Sequence, residues 1–232
     1  MIPAHRIICI GGWGSTKDVW INLARALPEF RLEPIPWWKC LDPGVGALRT
    51  ALAAGRPALV VGWSLGGLAL LRTLQEGIAG EIPACLLAST ARMTADDGYP
   101  GTDPRALRAM RMRLSRDPDG VMADFVALCG APSPPGDFVA RYVARSRAIP
   151  PGMLAAGLSF LADTDLRAGL PHLDSPLLWL HGEADAVIPV DSARDAAAYG
   201  PSIRLETIPG VGHSFPMTHT LLVADRIRRW LA

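Results

Sequence analysis

Lysine is almost absent from this chain: Lys17 and Lys39 stand alone among 23 basic residues, the rest being arginine. An excess of either charge sign is missing too. With 23 Lys plus Arg against 22 Asp plus Glu, bulk charge gives no reason to expect a nucleic-acid or membrane-surface partner. Cysteine is scarce and unpatterned. Cys9, Cys40, Cys85 and Cys129 lie in apolar stretches with no CxxC or His-rich spacing, so reduced buried thiols are expected, without a disulfide frame or metal site. A cytoplasmic home follows. No apolar run approaches the ~20 residues that span a bilayer, and the start of the chain lacks the sequence of a secretory leader. Neither GxGxxG nor Walker A occurs, which argues against a nucleotide-phosphate turn, and no internal repeat or low-complexity tract interrupts the chain. What remains is an ordinary globular composition: 232 residues, 50% apolar and 19% charged. That length suits one large core with an inserted subdomain better than two independent domains.

Short apolar runs rich in β-branched residues alternate with longer stretches of helical period, the pattern of a mostly parallel sheet covered by helices. Strands are predicted at Arg6–Ile10, Phe30–Pro36, Pro57–Gly62, Pro83–Ser89, Pro176–His181 and Ser202–Ile208. Helices are predicted at Thr16–Leu27, Val45–Ala54, Ser64–Glu76, Asp191–Tyr199 and Met217–Leu231, with Pro189-Val190-Asp191 as an N-cap-like entry to the fourth. The alternation stops between about Ala95 and Asp165. Four helical stretches follow one another there, at Asp103–Arg116, Asp119–Leu128, Gly136–Ala148 and Gly152–Leu161, separated by Pro-containing turns at Asp117-Pro118, residues 131–135 and Pro150-Pro151. The expected division is a core of residues 1–94 and 166–232 with a helical cap at 95–165.

Gly62-Trp63-Ser64-Leu65-Gly66-Gly67 follows the apolar run Ala58–Val61 and opens the helical pattern Leu68–Leu74. This is GxSxG in its confirming context, a strand-to-helix turn too sharp for side chains on the flanking glycines, which pushes a serine hydroxyl out of the sheet. The helix N-terminus adds positive potential there, favouring an oxyanion. A serine hydroxyl needs a base and a carboxylate that orients the base. Asp185 follows the strand Leu177–Leu180, and His213 sits in the Gly-containing loop between the last strand and the last helix. Both are at carboxyl ends of strands, where open α/β sheets build their sites. Glu183 and Asp191 are alternatives to Asp185. Among the other histidines, His5, His172 and His219 have no comparable setting, and His181 at a strand end reads as a structural or pocket-wall residue. A second oxyanion donor beside Leu65 N–H is expected from Ile10-Gly11-Gly12-Trp13-Gly14, with Trp13 N–H the candidate.

On these residues the chain resembles the α/β-hydrolase superfamily and, within it, the pimeloyl-[acyl-carrier-protein] methyl ester esterases of biotin synthesis. The likeness rests on Gly12-Trp13-Gly14 with Val19-Trp20, on the elbow Gly-Trp-Ser-Leu-Gly-Gly-Leu, and on Ala88-Ser89-Thr90 and Tyr99-Pro100-Gly101. It continues through Asp124-Phe125-Val126-Ala127-Leu128, Gly157–Leu161 and Thr164-Asp165-Leu166-Arg167. The resemblance implies an α/β-hydrolase fold with Ser64 as nucleophile, Asp185 as acid and His213 as base. Trp13 and Leu65 would line the acyl site and supply the oxyanion hole. The segment Phe125, Val126, Ala127, Leu128 and Cys129 would contact substrate, with Phe125 equally readable as core. Three departures stand out: Gly11 where many relatives carry histidine, missing N-terminal antiparallel strands, and Trp37-Trp38-Lys39-Cys40 in place of an Asp-Leu-Pro-Gly turn.

Between Pro104 and Ala148 eight arginines face four acids. On a helical wheel Arg105, Arg108 and Arg116 fall opposite Leu107, Met110 and Leu114, which puts them in solvent. With Arg141 and Arg145 they are candidates for docking an acidic carrier protein, although a solvated helix face accounts for them equally well. The expectation is a monomeric serine carboxylesterase that needs no cofactor, with Trp13, Trp63 and the cap holding the acyl chain. The competing readings are a broad carboxylesterase or C–C hydrolase for small molecules, and a non-catalytic binding protein on the same scaffold.

Overall fold

The computed structural model describes residues 5–42, 46–78, 80–132 and 136–232. Within them six strands form one sheet: β1 (His5–Ile10), β2 (Phe30–Ile35), β3 (Leu59–Trp63), β4 (Ala84–Leu87), β5 (Leu177–Gly182) and β6 (Ile203–Ile208). The order is β2-β1-β3-β4-β5-β6, and every neighbouring pair is parallel. Burial explains their composition. Strands β3, β4 and β5 are covered on both faces and read as unbroken apolar runs, whereas the edge strands β2 and β6 are half exposed. Pro34 sits in edge strand β2, where a missing N–H is tolerated. The six strands fall where periodicity puts them, with ends shifted by one or two residues.

The helices are α1 (Ile21–Ala26), α2 (Gly46–Ala53), α3 (Leu65–Gln75), α4 (Pro104–Leu114), α5 (Pro118–Gly130), α6 (Phe138–Ser146), α7 (Met153–Asp163), α8 (Val190–Tyr199), α9 (Phe215–Thr218) and α10 (Thr220–Leu231). Four of them, α4 to α7, lie between β4 and β5. Asp103 and Asp117 start α4 and α5 as N-caps, each accepting a backbone N–H, with proline at the first helical position. Three expectations need correction. The predicted helix Thr16–Leu27 is a 3-10 turn, Lys17–Trp20, followed by the short α1. The last helix breaks at His219, where the Thr220 hydroxyl donates to the carbonyls of Pro216 and Met217 and competes with the helical ladder. Helix α8 begins at Val190, so Asp191 lies in its first turn beside Arg194 instead of capping it. Two 3-10 turns, Trp37–Cys40 and Arg167–His172, carry no sequence signal strong enough to have been expected. The predicted turn at 131–135 lies partly outside the described residues, as does Val45 of the second predicted helix.

The strand order reverses direction between β1 and β3, so a crevice opens at their carboxyl ends. The loop carrying Trp13 leaves β1 and the turn carrying Ser64 leaves β3. The remaining candidates sit after β5 (Asp185) and β6 (His213), on the same edge of the sheet.

Candidate active site

Ser64 occupies the corner between β3 and α3 with φ 55° and ψ −122°, a backbone setting that L-residues avoid. The turn is held by its neighbours. Ser64 N–H donates to Leu87 C=O at 2.9 Å, and Ser64 C=O accepts the Ser89 hydroxyl at 2.9 Å. A Cβ on Gly62 would lie 2.6 Å from Gly66 O, and one on Gly66 would lie 2.3 Å from Ile10 O. Both glycines are therefore imposed by how closely β3, α3 and the end of β1 approach one another.

Three side chains meet here. Ser64 Oγ is 3.0 Å from His213 Nε2, and His213 Nδ1 is 2.8 Å from an Asp185 carboxylate oxygen. The other Asp185 oxygen accepts the backbone N–H groups of Val187 at 2.8 Å and Ile188 at 2.9 Å. Burial alone raises the Asp185 carboxyl, but the His213 charge and hydrogen bond, His181 and the Ile188 N–H outweigh it and hold the group below the usual carboxylate range. An ionised Asp185 fixes Nδ1–H as donor and leaves Nε2 as acceptor for the serine proton. Glu183 instead accepts the Thr207 hydroxyl, and Asp191 pairs with Arg194, so neither alternative acid reaches His213.

Trp63 changes role. Its indole Nε1–H donates to His213 C=O at 3.1 Å and its ring lies 5.7 Å from the imidazole, so it packs on the candidate base instead of lining an acyl channel. Ser214 N–H donates to Cys129 C=O at 3.0 Å, tying the His213 loop to the end of α5. His181 donates from Nε2 to Ile188 C=O at 3.0 Å, which buttresses the Asp185 loop from behind. Burial lowers the His181 pKa and keeps the ring neutral. Sequence reasoning assigned no such bond to either Trp63 or His181. An aromatic or histidine at a buried strand end looks the same in sequence whether it packs or donates.

Leu65 N–H, at the first position of α3, and Trp13 N–H are engaged by no other group among the described residues. The loop between them is tight: a Cβ on Gly12 would lie 3.0 Å from Ser64 Cβ. Against Trp13 lies an apolar cavity of about 340 Å³, walled by α4, α5, α7 and the Asp185 loop through Met110, Phe125, Leu128, Leu158, Leu161 and Val187. The Phe125 ring meets Trp13 edge to face at 5.0 Å. The expected contact stretch 125–129 divides by helical spacing: Phe125 and Leu128 face the cavity, three residues apart on one side of α5. Val126 and Cys129 point into the core with no exposed surface, and Ala127 faces out. Burial pushes the Cys129 thiol well above its usual pKa, which leaves it an inert core residue.

The arginines of the insertion sort the same way. Arg105 and Arg108 are exposed on α4, as the helical wheel anticipates, and Arg116 is exposed in the turn after α4 ends at Leu114, short of the predicted Arg116; none of the three forms an ion pair among the described residues. Arg141 pairs with Asp137 at 3.0 Å and Arg145 with Asp18 at 3.3 Å, and both line a second cavity of about 410 Å³ beside Gly14. Among the described residues no three His, Cys, Asp or Glu side chains gather as a metal site, and no helix is long and apolar enough to cross a membrane.

A sequence model described as the alpha/beta hydrolase family matches residues 11–226. The chain belongs to that family. One curated relative, from Xanthomonas oryzae pv. oryzae, is 34% identical over 97% of this chain and 94% of its own length. Another, from Vibrio vulnificus, is 32% identical over 82% of this chain and 79% of its own. Each is named pimeloyl-[acyl-carrier protein] methyl ester esterase. Among solved structures an esterase from Exiguobacterium antarcticum superposes with TM-score 0.86 at 19% identity, over 98% of this chain and 91% of that one. A bromoperoxidase from Bacillus anthracis superposes with TM-score 0.85 at 17% identity, over 98% and 92%. At such identities the structures speak for the fold alone, which hosts several chemistries. With esterases as its curated relatives, this hydrolase is an ester hydrolase.

Proposed function

We propose that this hydrolase is a serine carboxylesterase that cleaves the methyl ester of pimeloyl-[acyl-carrier protein], a step of biotin synthesis. The observation that carries the chemistry is the relay Ser64–His213–Asp185, with 3.0 and 2.8 Å between its partners; an apolar cavity lined by Trp13 and by Ala186 and Val187, the two residues after Asp185, lies close by. His213 takes the Ser64 proton as Oγ attacks the ester carbonyl, and Asp185 stabilises the imidazolium. Trp13 N–H and Leu65 N–H hold the oxyanion. His213 then protonates the leaving methoxide, methanol departs, and water activated by His213 cleaves the acyl-enzyme. The chain's own residues suffice for each step.

The relatives' names and the apolar lining support the substrate. Residues 95–165 act as a cap whose helices α4, α5 and α7 roof the neutral acyl chain, burying it against Phe125 and Leu128. The exposed Arg105, Arg108 and Arg116 of this cap suit the approach of an acidic carrier.

Single-turnover hydrolysis of pimeloyl-carrier methyl ester, beside short p-nitrophenyl esters and with Ser64→Ala as control, tests the assignment. Preference for the carrier ester, lost in the Ser64→Ala variant, is expected. Turnover of the small esters alone would keep the serine mechanism and overturn the carrier substrate.

A further inference from the structure

Trp13 is gripped by the inserted helices through every polar atom except the one the mechanism uses. Its indole Nε1–H donates to Leu154 C=O in the first turn of α7 at 2.8 Å, and its own carbonyl accepts the Tyr142 hydroxyl of α6 at 3.3 Å. Trp13 and Tyr142 are buried, so the bond between them is not exchanged for water, while the bond to the half-buried Leu154 is partly shielded. Helix α7 is shaped for the ring. A Cβ on Gly157 would lie 2.6 Å from the Trp13 indole, and only glycine leaves that space.

Two consecutive peptides are fixed in this loop. The Gly12–Trp13 peptide carries the Trp13 N–H, and its carbonyl accepts the Ser15 N–H at 3.1 Å and the Ser15 hydroxyl at 2.7 Å. In a planar trans peptide the N–H points opposite the carbonyl, so Ser15 aims the Trp13 N–H away from itself. The Trp13–Gly14 peptide is fixed by Tyr142, which is rooted in another part of the chain. The next residue, Gly14, turns back at φ +71° against Met122 of α5. Rotation about the Trp13 backbone torsions turns one of these peptide planes against the other, so fixing both planes fixes the backbone at Trp13. The loop itself therefore holds one plane and the insertion holds the other.

We propose that Tyr142 is a positioning residue for ester hydrolysis: from the cap, its hydroxyl sets the Trp13 backbone so that Trp13 N–H meets the developing oxyanion. This rests on the reading of Trp13 N–H and Leu65 N–H as the oxyanion hole. The cap is then part of the catalytic geometry as well as the roof of the acyl chain. A donor displaced by a fraction of an ångström loses most in the transition state, where the charge is largest, and little in substrate binding.

The test compares wild type with Tyr142→Phe, which removes one oxygen and adds no atom, on p-nitrophenyl butyrate. Acylation is expected to slow about tenfold with KM nearly unchanged. Affinity for a trifluoromethyl ketone, which adds to Ser64 as an oxyanionic hemiketal, should weaken by the same factor. If Tyr142→Phe does not fold, 3-fluorotyrosine at position 142, which keeps the ring and hydroxyl but alters its strength as a donor, is expected to shift kcat and ketone affinity together with KM unchanged, and no change in either would overturn the role. Wild-type acylation and ketone affinity in Tyr142→Phe, or a loss falling on KM, would overturn the role of Tyr142 and leave the triad standing. Failure of wild type itself to bind the ketone, or full activity of Ser64→Ala, would instead overturn the oxyanion reading beneath it.

Discussion

Asp185 does two jobs with two oxygens, one toward His213 and the other toward the N–H groups of Val187 and Ile188. Replacing it with asparagine keeps the shape but offers Nδ1 an amide, so the imidazole is free to take the wrong tautomer. Asp185→Asn is expected to lower kcat on the order of 10⁴-fold with little change in KM, measured by steady-state hydrolysis of a p-nitrophenyl ester. A loss below tenfold would remove Asp185 from the relay. At this scale the sequence was informative where chemistry constrains the backbone. Ser64 betrays itself through glycines whose Cβ atoms have no room, and Asp185 and His213 through their places after strands. It read His181 as structural, in line with its bond to Ile188, but gave Trp63 to the acyl chain and was silent on Tyr142, because a buried donor and a merely packed ring occupy the same position in an apolar pattern.

Helix α5 illustrates what periodicity resolves and what a contiguous motif blurs. Its residues 125–129 were read as one contact stretch, yet a turn of 3.6 residues sends them to three surroundings. Phe125→Ala is expected to raise KM for long-chain p-nitrophenyl esters by about 1–3 kcal/mol of lost apolar contact while sparing the acetate. Val126→Ala, one residue on, is expected to cost about 1–2 kcal/mol of stability and leave chain-length preference alone. If the two variants exchanged these phenotypes, the assignment of the cavity face would be wrong. Helix α4 and the turn after it offer the corresponding test of charge. Arg108→Glu with Arg116→Glu should slow reaction with carrier-bound ester, most at low salt, and leave p-nitrophenyl acetate untouched. Equal losses on both substrates would count against docking at this face. The starts of α8 and α10 were misjudged for local reasons: the hydroxyls of Ser192 and Thr220 bond nearby backbone carbonyls over distances that hydrophobic periodicity does not register.

For the whole molecule the sheet order could be anticipated only as a class. Alternating strands and helices announce a parallel sheet, but the reversal between β1 and β3 that opens the crevice depends on long-range packing. The sheet edge that carries His181 and Asp185 also has a cost in acid. The His181 pKa is held below its ordinary 6.5 by burial, and Asp185 is held below its ordinary 3.8, so each binds a proton more readily in the unfolded chain than in the folded one. Protonation therefore favours unfolding. Stability is expected to be level above about pH 6.5, to fall as the pH drops past that value by up to about 1.4 kcal/mol per unit for one proton, and to fall further through the carboxylate range. Urea midpoints between pH 8 and 4 would check this, and a protein equally stable at pH 7 and 5 would contradict it. Covalent trapping tests most directly whether Ser64, aimed by His213 and Asp185, is the nucleophile. After reaction with a fluorophosphonate, the intact mass should rise by one adduct, peptide mapping should place it on Ser64, and Ser64→Ala should stay unlabelled. An unlabelled wild type, or an adduct on any other residue, would contradict the account.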